Sequence, residues 1–177
     1  MQVMAIRNII KMGDPRLLAA CAPVQNVRSQ EIQQLIRDMW ETMAAAGGIG
    51  LAAPQVAVNL QIMVFGSAQS SGSDRPQVPP TVLINPKLAP VGTQIESDWE
   101  GCLSIPGLRG KVPRWHAVHF SGLNALGEPI AHTVEGFHAR VVQHEYDHLQ
   151  GVLYPMQMKD LSQFGFNEEL LAQQQQA

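Results

Sequence analysis

The stretch QHEYDHLQG, Gln143 to Gly151, limits the fold more tightly than any other part of the chain. It holds His144, Glu145 and His148 in the order His-Glu-x-x-His. On an α-helix, residues four apart rise about 6 Å and differ by only about 40° in direction, so both imidazoles leave one face and converge on one cation. Glu145 falls on the flank of that face, roughly 60° from His148, placed to handle a metal-bound water without ligating the ion. The surroundings agree with a helix. Phe137 and Val141 precede His144 on the same face, with Val142 and Leu149 beside them, which is helical periodicity and not strand alternation. Gly151 stands where a C′ glycine would end the element.

Two imidazoles do not complete a catalytic site. The segment DWEGCLSIPG, Asp98 to Gly107, supplies Cys102. With His144 and His148 it makes a set of three ligands, leaving a fourth position open for water, as hydrolytic chemistry requires. The backbone N–H of Leu103, next after the sulfur, is placed to donate towards a developing oxyanion. Glu100 and Arg114 are read either as an ion pair bracing this loop or as two solvated charges. The only other cysteine, Cys21, is read as a small buried hydrophobe. Two cysteines make no disulfide framework and suit a reducing cytoplasm, where a thiolate ligand survives.

GIGLAAPQ, Gly48 to Gln55, superficially matches a dinucleotide fingerprint. That fingerprint needs a strand before it and a helix after it. Here a helix precedes, and Pro54 disfavours helix at Ala53, so nucleotide binding is rejected. Two readings remain: a glycine turn feeding the next strand, or a segment whose glycines let backbone approach a ligand closely, with the Gln55 amide offered to it.

The rest reads as scaffold. Asp14-Pro15 marks a short helix start, with Leu17 and Leu18 able to pack inward. Ser29 to Ala46 is an amphipathic helix with Ile32, Leu35, Ile36, Met39 and Met43 in one stripe, capped by Ser29 and stopped by Gly47-Gly48. Strands are expected at Gln61–Phe65, at Thr81–Asn85 (ended by Pro86), at Gly92–Ser97, around Val112, and at Ala117–Ser121 and Pro129–Val134. His116, His119 and His132 are taken as ordinary histidines. The polar run 66–80 is a surface loop with disorder possible at its tip. The tail 166–177 is helical or frayed. A chain of 177 residues with a net charge of −3 fits one α+β domain spanning 1–177, long enough to bury roughly 70% of its unfolded surface. No basic excess points to nucleic acid, and no apolar run would span a bilayer. MQVMAIRNIIKMGDPR is broken by Arg7, Lys11 and Asp14 and is not read as a signal segment. A cytoplasmic protein is expected.

Taken in order, GIGLAAPQ, EGCLS and QHEYDHL resemble the three signature motifs of bacterial peptide deformylases, over roughly residues 5–160. The resemblance implies an α+β fold in which mixed and antiparallel strands wrap around a central HExxH-bearing helix. It also implies a single catalytic domain that hydrolyses the N-formyl group from the starting methionine of nascent polypeptides and releases formate. Cys102, His144 and His148 fall on that family's metal ligands, and Glu145 on its catalytic carboxylate. Gln55 and the Leu103 backbone fall on its oxyanion donors, and Gly50 and Arg109 on residues that line or hold the peptide. Ile49, Phe137 and Val141 fall where it builds the methionine pocket. The implied cofactor is one divalent ion, Fe2+ in the cell, with Zn2+, Ni2+ or Co2+ able to substitute. The implied partners are N-formylmethionyl peptides, with transient ribosome contact. Two departures stand out: Asp98 occupies a pocket position that is often aliphatic, and NEELLAQQQQA lacks the basic charge of tails that dock on the ribosome. Two rivals compete. A zincin-type protease would recruit Glu168 or Glu169 as a further ligand, and a binding module would enclose a structural metal with four ligands.

Overall fold

The computed structural model describes residues 5–67 and 76–175. The tip of the predicted 66–80 loop and the last two residues of the tail lie outside the described residues. Helix α1 (Gln30–Ala45) matches its expected bounds. Its stripe of Ile32, Leu35, Ile36, Met39 and Met43 is buried, and the Ser29 side chain accepts from the Ile32 N–H.

Two antiparallel sheets follow. The first orders its strands β1 (Gly50–Ala52), β2 (Ile62–Phe65), β3 (Thr81–Pro90), β6 (Ala117–Leu123) and β7 (Pro129–Glu135). The second joins β4 (Ile95–Cys102), β5 (Ile105–Trp115) and β8 (Phe164–Phe166). Every pair of named strands is antiparallel, and the one parallel contact is an isolated Ala22–Leu60 bridge among the described residues. The mixed part of the expected sheet therefore shrinks to that bridge.

Helix α2 (Gly136–Leu149) carries the motif and lies between the sheets, touching β1 and β2 on one side and β5 on the other. Strand β2 shows why its sequence does not alternate. Ile62 and Val64 pack towards α1, while Met63 and Phe65 pack towards Ala139 and Val142 of α2. Both faces of the strand are buried, so every position is apolar. Gly151 follows α2 at φ 72°, and a Cβ there would collide with the Leu18 carbonyl. Only glycine closes the helix this way.

Several strand boundaries differ from expectation. β3 runs through Pro86 because the β3–β6 register shifts between Ile84 and Lys87. Asn85 sits in that bulge at φ 50°, and its amide pairs with both backbone groups of Val24. A proline needs no donor there. The strand expected at Gly92–Ser97 starts only at Ile95 and continues to Cys102. β5 is far longer than the region around Val112, because Pro106, Gly107, Gly110 and Pro113 disguise it as a loop. Leu17 is buried as expected, but Leu18 is exposed.

The N-terminal segment is fastened to α1 through Asp38, which is 3% exposed. Asp38 accepts from Arg7 Nε at 2.9 Å, from the Gln34 amide at 2.7 Å and from the Ala5 N–H at 3.3 Å. Burial works to raise its pKa, but these donors and the Arg7 charge hold it below the ordinary value of 3.8. A depressed folded pKa gives stability that is present above the unfolded pKa and lost as pH falls. Asp38→Ala is therefore expected to cost about 1.5–3 kcal/mol at pH 7. Urea titrations at pH 7 and pH 3 should show the deficit shrinking at the lower pH.

Candidate metal centre and cleft

Two elements bring the ligands together. His144 and His148 stand one turn apart on α2, their rings 5.0 Å apart and edge to face. Cys102 ends β4 at the tip of the β4–β5 hairpin, where the Ser104 N–H donates to its sulfur at 3.4 Å. The candidate ligand atoms of Cys102, His144 and His148 all lie within 4.8 Å of one another, and Cys102 Sγ is 3.3 Å from His148 Nε2.

The donor set suits a metal ion. His144 Nδ1–H donates to Glu100 Oε2 at 3.0 Å, which leaves Nε2 as the ligand nitrogen and fixes the ring plane. Burial disfavours charge on this ring, but Cys102 and Glu100 both favour it and raise the His144 pKa well above normal. His148 is held neutral chiefly by burial, the form that a ligand needs. A sulfur and two imidazoles converging on one point form a donor set that fits a divalent cation.

Glu100 is the anchor behind His144. Its carboxylate accepts from Arg114 Nε at 2.9 Å and Nη2 at 3.0 Å, and from Arg140 Nη1 at 3.1 Å. Burial alone would raise its pKa, but hydrogen bonds from His144 and Arg114 hold it well below the usual carboxylate range. Of the two readings of Glu100 and Arg114, the buried ion pair is the one observed; Arg114 also reaches Asp147.

A cleft of about 380 Å³ opens over this centre. Ile49, Gly50, Gln55, Cys102, Leu103, Arg109, Phe137, Val141, His144 and Glu145 all line it, and His148 lies buried behind them. Gln55 is fixed at both ends of its amide. Its Oε1 accepts from the Ala52 N–H at 2.9 Å, and its Nε2 points to Ser104 Oγ at 3.2 Å and Cys102 Sγ at 3.5 Å. Pro54 does not exclude helix here, since a single 3-10 turn spans Ala53–Val56 and sets Gln55 in place.

Glu145 is 4% exposed, and its Oε2 has no hydrogen-bond partner among the described residues. Burial is the main reason that its carboxyl is pushed up to about 7. Its neighbour is Gly50, where any Cβ would strike the carboxylate. Gly50→Ala is expected to displace Glu145 and lower kcat/KM about 10²-fold, with far-UV circular dichroism unchanged. Parental kinetics in the variant would show that this close approach is immaterial.

Other parts of the cleft were not legible beforehand. Asp98 does not form its wall: the side chain is exposed and accepts from the Trp99 N–H, while Trp99 and Arg140 line the cleft. Arg140 had a signal, lying four residues before His144 on the same helical face. Tyr154, whose ring stacks on His144 at 6.0 Å, had none. Neither did Asn167, which lines the cleft and accepts from Arg109 Nε at 2.7 Å. Glu168 and Glu169 are exposed on α3 (Asn167–Gln175) and take no part in the ligand cluster, which removes the support for a zincin. A closed site is not seen either, because the cluster has three members among the described residues.

Known proteins resemble this chain closely. The family model described as polypeptide deformylase matches residues 6–164. Peptide deformylase 2 of Ralstonia nicotianae is 54% identical over 93% of this chain and 94% of its own length. Peptide deformylase 1 of Bordetella pertussis is 52% identical over the same shares. Among solved structures, a class I type b peptide deformylase from Acinetobacter baumannii bound to Met-Ala-Ser superposes with a TM-score of 0.83. It is 33% identical and covers 88% of this chain and 100% of that one. A peptide deformylase from Synechococcus elongatus in complex with actinonin gives 0.79 at 36% identity, covering 92% and 90%. The matched span contains the helix, the hairpin tip and the glycine segment that meet at the cleft, and on these grounds the chain belongs to the polypeptide deformylase family.

Proposed function

We infer that this protein is a peptide deformylase, a hydrolase that removes the formyl group from N-formylmethionyl peptides and releases formate. The observation that carries this reading is the meeting of Cys102, His144 and His148 at the floor of a cleft that also holds the buried Glu145 carboxylate. Cys102, His144 and His148 would hold one divalent ion. Such an ion, when bound, supplies Lewis acidity and lowers the pKa of water towards neutrality.

The chain's own groups do the rest. Glu145 accepts a proton from the attacking water as its oxygen bonds to the formyl carbon. The carbonyl oxygen gains negative charge, and the Gln55 amide and the Leu103 N–H donate to it. Each such donor is worth about 2.7–4 kcal/mol in the transition state. Glu145 then passes the proton to the leaving nitrogen as the C–N bond breaks, giving formate and a free amine. Ile49, Phe137 and Val141 offer an apolar slot to the methionine side chain, whose flexible thioether suits it. Gly50 and Arg109 flank the peptide.

We assign the whole chain to a single catalytic domain, with Fe2+ as the ion in the cell and Zn2+, Ni2+ or Co2+ as substitutes. Among the described residues no helix is long and apolar enough to cross a membrane; a formylated nascent-peptide substrate supports reading the enzyme as cytoplasmic. Helix α3 offers Glu168 and Glu169 but no basic residue. A ribosome contact through it would therefore not rest on attraction to RNA phosphates.

The test is anaerobic purification with metal analysis, then a formate-release assay on N-formyl-Met peptides. One equivalent of metal and formate release are expected, and Cys102→Ala should lose both. Metal retained at parental affinity in Cys102→Ala would remove the sulfur from the site and the reading with it.

A further inference from the structure

The three ligands come from two separate elements, so the geometry of the site depends on what ties α2 to the β4–β5 hairpin. Gln143 pairs with both backbone groups of Trp115 on β5 and Asp147 receives Arg114, and one further side chain of α2, Arg140, reaches the backbone of both strands. Arg140 is 6% exposed and sits one turn before His144. Its Nη2 donates to the Glu96 carbonyl at 2.8 Å, and its Nη1 to the Val112 carbonyl at 2.8 Å and the Asp98 carbonyl at 3.4 Å. Glu96 and Asp98 belong to β4, and Val112 to β5. The guanidinium from the helix therefore grips the backbone of both strands of the hairpin that ends in Cys102. The same Nη1 reaches Glu100 Oε1 at 3.1 Å, while Glu100 Oε2 receives His144 Nδ1 at 3.0 Å.

We propose that Arg140 is a positioning residue for the deformylase reaction: it sets the register between the helix that bears both imidazoles and the hairpin that bears the sulfur, and it holds Glu100 against His144. The role rests on the metal-site reading above. A guanidinium suits it because its planar fork serves several fixed acceptors at once, which the rotating ammonium of a lysine does not. Arg140 also lines the cleft beside Phe137 and Val141. The wall of the side-chain slot and the metal half of the site thus share one rigid residue. Arg114 neutralises the same carboxylate from β5, but its bonds run to the Glu100 and Asp147 side chains, whereas Arg140 also holds the hairpin carbonyls.

The test uses Arg140→Met, which fills the space without donors, and Arg140→Lys, which keeps the charge without the fork. Zn2+ affinity is measured by chelator competition on the folded proteins, and the thiolate-to-metal absorption is recorded with Co2+. Loss of a group that orients a metal ligand typically weakens binding about 10–100-fold. Arg140→Met should fall in that range with an altered Co2+ spectrum, and Arg140→Lys should lie between it and the parent. Steady-state kinetics should show the loss mainly in kcat. If Arg140→Met does not fold, Arg140→Lys carries the same measurements. A lower Tm with parental Zn2+ affinity and an unchanged Co2+ spectrum would mean that Arg140 only satisfies carbonyls, and the proposal fails. The metal readouts need no substrate. A parent that binds Zn2+ but releases no formate would therefore overturn the deformylase reading and leave the register role to be judged on the Zn2+ data.

Discussion

Glu145→Gln is expected to fold, to bind its metal and to lose deformylation by about 10²–10⁴-fold in kcat. The substitution is nearly isosteric, and Glu145 does not belong to the ligand cluster, so neither packing against Gly50 nor the ligand set should change. What is lost is the ability to take and return a proton. The buried carboxyl, pushed up to about 7, is well matched to a group that must do both near neutral pH. Formate release and metal content measured on one preparation separate the outcomes. Full metal with less than a hundredth of parental kcat supports the role, whereas a kcat within tenfold of the parent would remove Glu145 as the proton carrier.

The second large effect concerns stability and the metal together. Glu100→Ala should destabilise the fold by about 3–5 kcal/mol, because two guanidinium groups stay buried after the carboxylate that they share is gone. Arg114 retains Asp147 and Arg140 retains its carbonyls, which keeps the loss within that range. His144 loses the acceptor that fixes its ring, so metal affinity should drop about 10–100-fold. Urea unfolding measured with and without Zn2+ tests both halves. A metal affinity equal to the parent's, with only the stability reduced, would show that Glu100 braces the hairpin without orienting His144.

Much of the site could be read from spacing because its ligands obey local rules. His144 and His148 are four apart on a helix, and helical geometry alone brings them to one face. Cys102 was legible only as a residue type that completes the set. Its position depends on a hairpin whose second strand, with Pro106, Gly107, Gly110 and Pro113, carries almost none of the usual strand composition. Arg140 lay in plain view on the ligand face, yet an arginine on an apolar face reads as a solvated charge until its acceptors are known. Those acceptors are backbone carbonyls of Glu96, Asp98 and Val112, and no side-chain pattern announces a carbonyl. Tyr154 reaches the site in a short turn after α2 that packs on β5, and Asn167 because the chain then adds β8 beside β5.

By itself, then, the order of residues determined the helix, its two imidazoles and the capped amphipathic α1, because each follows from periods and conformational preferences acting over a few residues. Tertiary structure decided which charge braces which ligand, how far β3 and β5 extend and what walls the cleft. Those outcomes depend on pairings between elements distant in the chain, where a bulge at Asn85 or a buried guanidinium is acceptable only once its partners have arrived.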